Sequence, residues 1–148
     1  MTHLSYNATS VLIDGFAVLI TGKPKSGKSS LALSLIDEGA ILISDDITFL
    51  QVKNQKLFAL PPERLKAHLF IRGIGIIKLD ESVSKPCEVK ALICLDENEG
   101  TGVLPEYALI SDIKVPVFNF KMYDFALTKK IKAVIRLLKK EWVLVESL

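Results

Sequence analysis

Residues 22–29 read GKPKSGKS, the G-x-x-x-x-G-K-[ST] spacing that a polyphosphate needs from a polypeptide. Gly22 and Gly27 let the backbone curl, so that the amides of a cradle walled by Lys23, Pro24, Lys25 and Ser26 turn inward toward phosphate oxygens. Lys28 adds a point charge for the outer phosphates, the Ser29 hydroxyl suits Mg²⁺, and Ser30 opens a helix whose positive end faces the same anion. Two acidic pairs could serve such a site, Asp45-Asp46 and Asp96-Glu97, each at the end of an apolar run. Adjacent carboxylates beside a phosphate can hold a divalent cation or accept the proton of an incoming hydroxyl. Arg72, set in the stretch IRGIGII at 71–77, is a further candidate, because a guanidinium suits an anion and glycines admit a ligand close to the backbone. The bland alternatives are a surface turn at 22–29, a turn-starting Asp-Asp, and an Arg72 paired with a surface carboxylate.

A phosphate loop has meaning only between a strand and a helix. The apolar run 17–21 leads into it, and Leu31 and Leu35 with Ala32 and Ile36 form the stripe of a helix that must face a sheet. Runs 10–13 and 17–21 flank Asp14-Gly15 and predict a hairpin. Glu38-Gly39 ends the helix. The almost wholly apolar run 41–44 then predicts a buried strand, and the strand–helix–strand crossover makes the Leu19 and Leu42 strands parallel neighbours. Ligands of such sheets bind beyond the carboxyl ends of the strands, which places Asp45 and Asp46 at the edge that carries the phosphate loop.

Further along, 47–52 and 57–60 read as a second hairpin and 63–68 as a short helix behind Pro61-Pro62, with His68 on its surface. Residues 89–95 read as another buried strand, 98–102 as a polar, glycine-bearing loop near the site, and 107–110 and 115–120 as further strands, Pro116 implying an edge. From Asp124, a plausible cap, the period is helical: Leu127, Ile131, Val134 and Leu138 face the core, and Lys129, Lys132, Arg136 and Lys140 make a basic face, more often solvated than a docking surface. Trp142 to Val145 are expected to pack the C-terminus down.

The 148 residues are long enough for one domain with a real core, and a net charge of +2 points neither toward nor away from nucleic acid. No apolar run reaches the ~20 residues that span a bilayer, and MTHLSYNATS has no secretory layout. Cys87 and Cys94 lack disulfide or zinc spacing and read as reduced thiols of a cytoplasmic protein.

The order of these pieces resembles the catalytic domain of bacterial HPr kinase/phosphorylase, in a short form without that family's N-terminal domain. The resemblance rests on Asn7-Ala8-Thr9, GKPKSGKSSLAL at 22–33, ILISDD at 41–46 and IRGIGII at 71–77. It implies a P-loop-containing α/β fold, a mixed central β-sheet with flanking helices of the HPr kinase/PEP carboxykinase-like type, as a single domain over 1–148. It further implies ATP and Mg²⁺, a serine of the phosphocarrier HPr as acceptor, and assembly as a homo-hexamer, with no role for nucleic acid or membrane. Carried over by position, Asp46 is the general base, Lys28 stabilises the transferring group, Ser29 and Asp45 serve the metal, and Arg72 with Gly73 and Gly75 shapes the partner side. The preference for Asp46 over Asp96 comes from the resemblance alone. Three departures stand out: Asn7 replaces a catalytic histidine, Phe70 replaces a Mg²⁺-ligating glutamate, and an arginine near 100–104 is missing. Asparagine cannot titrate and phenyl is no ligand for a hard cation, which removes support for the reverse, phosphate-using reaction. The functional alternatives are a non-catalytic nucleotide-binding regulator and a small-molecule phosphoryl-transfer enzyme.

Overall fold

The computed structural model describes residues 3–98 and 106–145, so the loop expected at 98–102 lies, past Asn98, outside the described residues. The chain order is β1 (Leu4–Asn7), β2 (Thr9–Ile13), β3 (Phe16–Gly22), α1 (Lys28–Asp37), β4 (Ile41–Ser44), β5 (Ile47–Lys53) and β6 (Lys56–Leu60). There follow β7 (His68–Ile71), β8 (Gly75–Lys78), β9 (Cys87–Asp96), β10 (Tyr107–Ile110), β11 (Ile113–Lys121) and α2 (Leu127–Leu138). Among the described residues nine strands form one mixed sheet in the order β1-β5-β6-β9-β3-β2-β4, with β11 also on β9 and β10 on β11, and β7–β8 form a separate hairpin.

Alternation along β3 explains the two cores. Val18 and Ile20 face α1 and α2, where Leu31, Leu35, Ile131 and Ile135 are buried. Ala17 and Leu19 face the opposite way, against Leu50, Leu57, Val89, Leu92 and Val115 from the curled remainder of the sheet. Each fully buried Leu or Ile contributes roughly 1.5–3 kcal/mol. The expected α/β architecture with a mixed sheet and flanking helices is therefore the observed one. Pro116 stands just before β11 enters the β9 ladder at Val117↔Leu92, where its missing N–H removes no bond to β9.

Three expectations need correction. The Leu19 and Leu42 strands run parallel, but β2 lies between them, antiparallel to both. The tight Asp14-Gly15 hairpin lays β2 on β3 and takes the edge that the crossover strand would have used, and the parallel neighbour of β3 is β9. The helix at 63–68 is only a 3₁₀ turn, Glu63–Leu65. Ala67 then turns left-handed at φ 61°, and His68 opens β7 with Nδ1 on the Lys66 carbonyl at 2.7 Å. Residues Trp142 to Val145 do not pack down, Val145 being 94% exposed; the Trp142 ring lies under the Arg136 guanidinium instead. The basic face at Lys129, Lys132, Arg136 and Lys140 is the mostly solvated one expected, and on it Lys132 bonds Glu38, the cap of α1, at 2.6 Å.

That tie makes a pH prediction. The Glu38 carboxyl is held below its ordinary value by the hydrogen bond from Lys132 and then by one from Thr128. A depressed carboxyl contributes stability above its unfolded pKa that fades as pH falls through the folded one. Glu38→Gln should therefore lower Tm slightly at neutral pH, as an exposed pair allows, and the gap to wild type should close on acidification below the ordinary carboxylate range, as thermal melts across pH will show.

Candidate functional site

The loop begins where β3, buried on both faces, reaches the sheet edge. A Cβ on Gly22 would lie 2.5 Å from the Ser26 hydroxyl and 3.0 Å from the Leu95 carbonyl oxygen, so only glycine lets the loop close over β9. Lys25 at φ 66° and Gly27 at φ 95° are left-handed, which turns successive amides to the concave side. Lys28 opens α1, whose first turn has no side-chain cap and no acidic residue, leaving its N–H groups to an anion. The Lys28 ammonium donates to the carbonyls of Gly22 at 2.9 Å and Lys23 at 3.4 Å, folded onto the loop it serves.

Pro24, Lys25, Ser26, Gly27, Lys28, Ser29 and Ser30 line one cavity of about 780 Å³, and Asp45, Asp46, Phe70, Ile71 and Arg72 line it from across the cleft. The backbone of Gly22 and Lys23 forms the entry to the loop. Asp96, although at the same sheet edge, does not line the cavity; its Oδ1 accepts the Glu97 amide. Arg72 is exposed there and makes no ion pair among the described residues. Gly73 at φ 88° and Gly75 at φ 128° form the β7–β8 turn and do not line the cavity. Asn7, at the end of β1 opposite Ile47, does not line it either.

The Asp45 carboxylate is the junction of the site. Its Oδ1 accepts the Ser29 hydroxyl at 2.8 Å and the Thr9 hydroxyl at 3.0 Å, and its Oδ2 accepts the Phe70 amide at 3.0 Å. Asp46, next along, sits at φ 69° within a three-residue turn closed by the Ile47 amide on the Asp45 carbonyl at 2.8 Å. Such γ-turns are rare and strained. Thr9, fully buried, holds the turn by accepting the Asp46 amide at 3.2 Å. A polar seam continues beneath: the Ser10 and Thr48 hydroxyls bond at 2.8 Å, and Thr48 donates to the Ala8 carbonyl at 2.8 Å. On the other flank Tyr123, left-handed at φ 62°, lays its ring on Gly27 and donates its hydroxyl to the Lys25 carbonyl. The sequence named Thr9 only as part of Asn7-Ala8-Thr9, with no role at the site, and Tyr123 not at all, since it carries no motif and is 98 positions from its partner.

The residues fit a magnesium–polyphosphate. Ser26 Oγ is buried in the loop wall without a partner, a donor that a phosphate oxygen would satisfy. No group of three or more His, Cys, Asp or Glu side chains forms a metal cage among the described residues. Mg²⁺ needs none, because it keeps waters and takes phosphate oxygens alongside one or two protein ligands.

Thr9→Val keeps the shape and removes the hydroxyl, leaving the Asp46 amide and one bond of Asp45 unmet. A loss of about 1–3 kcal/mol is expected in urea unfolding, with Thr9→Ser recovering most of it; a neutral Thr9→Val would show that the bridge does not hold the turn.

The comparisons with known proteins agree with this geometry. The family model of the HPr Serine kinase C-terminal domain matches residues 2–116. The HPr kinase/phosphorylase of Mycoplasmopsis pulmonis (strain UAB CTIP) is 33% identical over 98 residues, covering 63% of this chain and 32% of that protein. That of Stenotrophomonas maltophilia (strain K279a) is 37% identical over 94 residues, covering 55% of this chain and 30% of that protein. The chain thus matches about a third of the length of these curated relatives. The solved Hpr(Ser) kinase/phosphatase from Coxiella burnetii superposes with a TM-score of 0.82 at 30% identity, over 93% of this chain and 92% of that one. The match of the family model across most of the chain, on the fold and the loop described above, makes this protein a member of the HPr serine kinase C-terminal domain family.

Proposed function

We propose that this chain is an ATP- and Mg²⁺-dependent protein-serine kinase that passes the γ-phosphoryl group of ATP to a serine of an HPr-like phosphocarrier protein of the sugar phosphotransferase system. The observation that carries the reading is the convergence of Lys28, Ser29, Asp45 and Asp46 on one cavity with the β7–β8 hairpin at its mouth.

The triphosphate lies in the cradle of 22–29, where the amides and the Ser26 hydroxyl bind its oxygens. Lys28 leaves the Gly22 carbonyl for the γ-phosphoryl group. Ser29 and Asp45 would hold Mg²⁺, which would supply charge neutralisation for the phosphates. The acceptor serine Oγ attacks the γ-phosphorus; the Oγ–P bond forms as the bond to the bridging oxygen breaks, and ADP leaves with that electron pair. The hydroxyl proton passes to the Asp46 carboxylate. Positioning and charge stabilisation supply most of the effect, as in phosphoryl transfer generally. A protein acceptor suits the cavity mouth better than a metabolite does, because the β7–β8 hairpin that carries Arg72 also exposes the apolar side chains of Phe70, Ile74 and Ile76. Phosphorolysis lies outside the proposal, since Asn7 offers no titrating group in place of the family's histidine.

Incubation with labelled ATP, Mg²⁺ and HPr should yield phosphoserine, and Asp46→Asn should cut the rate by about 10²–10⁴-fold while leaving nucleotide-induced thermal stabilisation in place. ATP binding without transfer would overturn the kinase in favour of a nucleotide-binding regulator, and label on a metabolite would favour a small-molecule kinase. Lys28→Ala should abolish the stabilisation by nucleotide in thermal melts; an unchanged shift would put the nucleotide elsewhere.

A further inference from the structure

The cradle has two flanks, and the strand order makes them different. β4 delivers Asp45 and Asp46 on one side of the loop. On the other, β9 and β11 run parallel to β3 and end at the same edge, with Gly22 beside Leu95 and Lys121 beside Asp96. The turn after β11 therefore brings Tyr123 to the cradle from the side opposite the carboxylates. Beyond Tyr123 lies a second groove of about 470 Å³, between α1 and the start of α2. It shares Gly27, Ser30 and Tyr123 with the first cavity and continues past Ser34, Phe125 and Thr128.

A triphosphate in the loop with its terminal phosphorus toward Asp46 and Lys28 would have its other end on the opposite flank, where the two cavities join at Gly27, Ser30 and Tyr123. Tyr123 is anchored by its hydroxyl on the Lys25 carbonyl and its ring on Gly27, and the side chain is still 66% exposed. An aromatic ring held rigidly and half open is a platform for a nucleobase. Phe125 beside it is wholly exposed. The acidic groups at the rim are already engaged, Asp124 by Lys130 at 2.5 Å and Glu38 by Lys132 at 2.6 Å, so they do not repel the nucleotide.

We propose that the groove between α1 and residues 123–128 is the nucleoside subsite, with the Tyr123 ring as the surface on which the base stacks. The proposal rests on residues 22–29 holding the triphosphate, and the test separates the two. Calorimetry would compare Mg²⁺-ATP with Mg²⁺-tripolyphosphate, which has the phosphates and no nucleoside. Ser34→Trp fills the groove from the exposed face of α1 without touching the Asp45 side, and Tyr123→Ala removes the platform. Both should lower the ratio of ATP affinity to tripolyphosphate affinity by about tenfold or more, the scale of a lost base–aromatic stack. Photolabelling with 8-azido-ATP should mark peptides spanning 123–129. An affinity ratio unmoved or raised in both variants, or labelling confined elsewhere, overturns the subsite while leaving the phosphate cradle standing. Failure of wild type to bind tripolyphosphate, or binding untouched by Lys28→Ala, overturns the cradle and the subsite together.

Discussion

One carboxylate ties together, by hydrogen bonds, three elements that also share the apolar core on the helical face of the sheet. Asp45 takes hydrogen bonds from α1 through Ser29, from β2 through Thr9 and from β7 through the Phe70 amide. Hydrogen bonds to a charged acceptor are worth more than neutral ones, and each of these fixes a different wall of the cleft. The phosphate loop, the strained turn at Asp46 and the hairpin at the mouth are thereby held in one frame. Phe70 takes part in this frame through its main chain: the side chain offers no metal ligand, but the backbone amide grips Asp45.

The central strand explains why the frame is stiff. β9 pairs with β6 near its beginning, at Glu88 and Cys87, and with β3 and β11 along its later part. The strand that feeds the phosphate loop and the strand that feeds Tyr123 therefore share one partner strand, β9, which sets the spacing of the two flanks of the cleft. Main-chain ladders of this kind position a site more exactingly than mobile loops do.

Much of the cleft was legible in the sequence, for reasons that can be named. The loop spacing, the alternating pattern of β3 and the i, i+4 stripe of α1 are local signals, and local signals determine where Lys28, Ser29, Asp45 and Asp46 go. The choice of Asp45-Asp46 over Asp96 was not local; two apolar strands ending in acids look alike until strand order distinguishes them. Strand order was also the point at which reading failed. The crossover rule gave the relative direction of β3 and β4 correctly, but it could not see that a hairpin strand would slip between them. The roles of Thr9 and Tyr123 were missed because they come from pairing across the fold, and the fate of Trp142 because an apolar run alone does not say whether a surface is free to receive it.

The turn at Asp46 has an evolutionary consequence. A left-handed backbone there would suit glycine with less strain than any side chain, so replacing the aspartate would relax the fold. Under the role proposed for Asp46, selection for a sturdier chain and selection for turnover pull this codon in opposite directions, a trade-off familiar where activity needs a strained position. On that same proposal, a lineage released from catalysis would be free to drift downhill toward glycine at this turn.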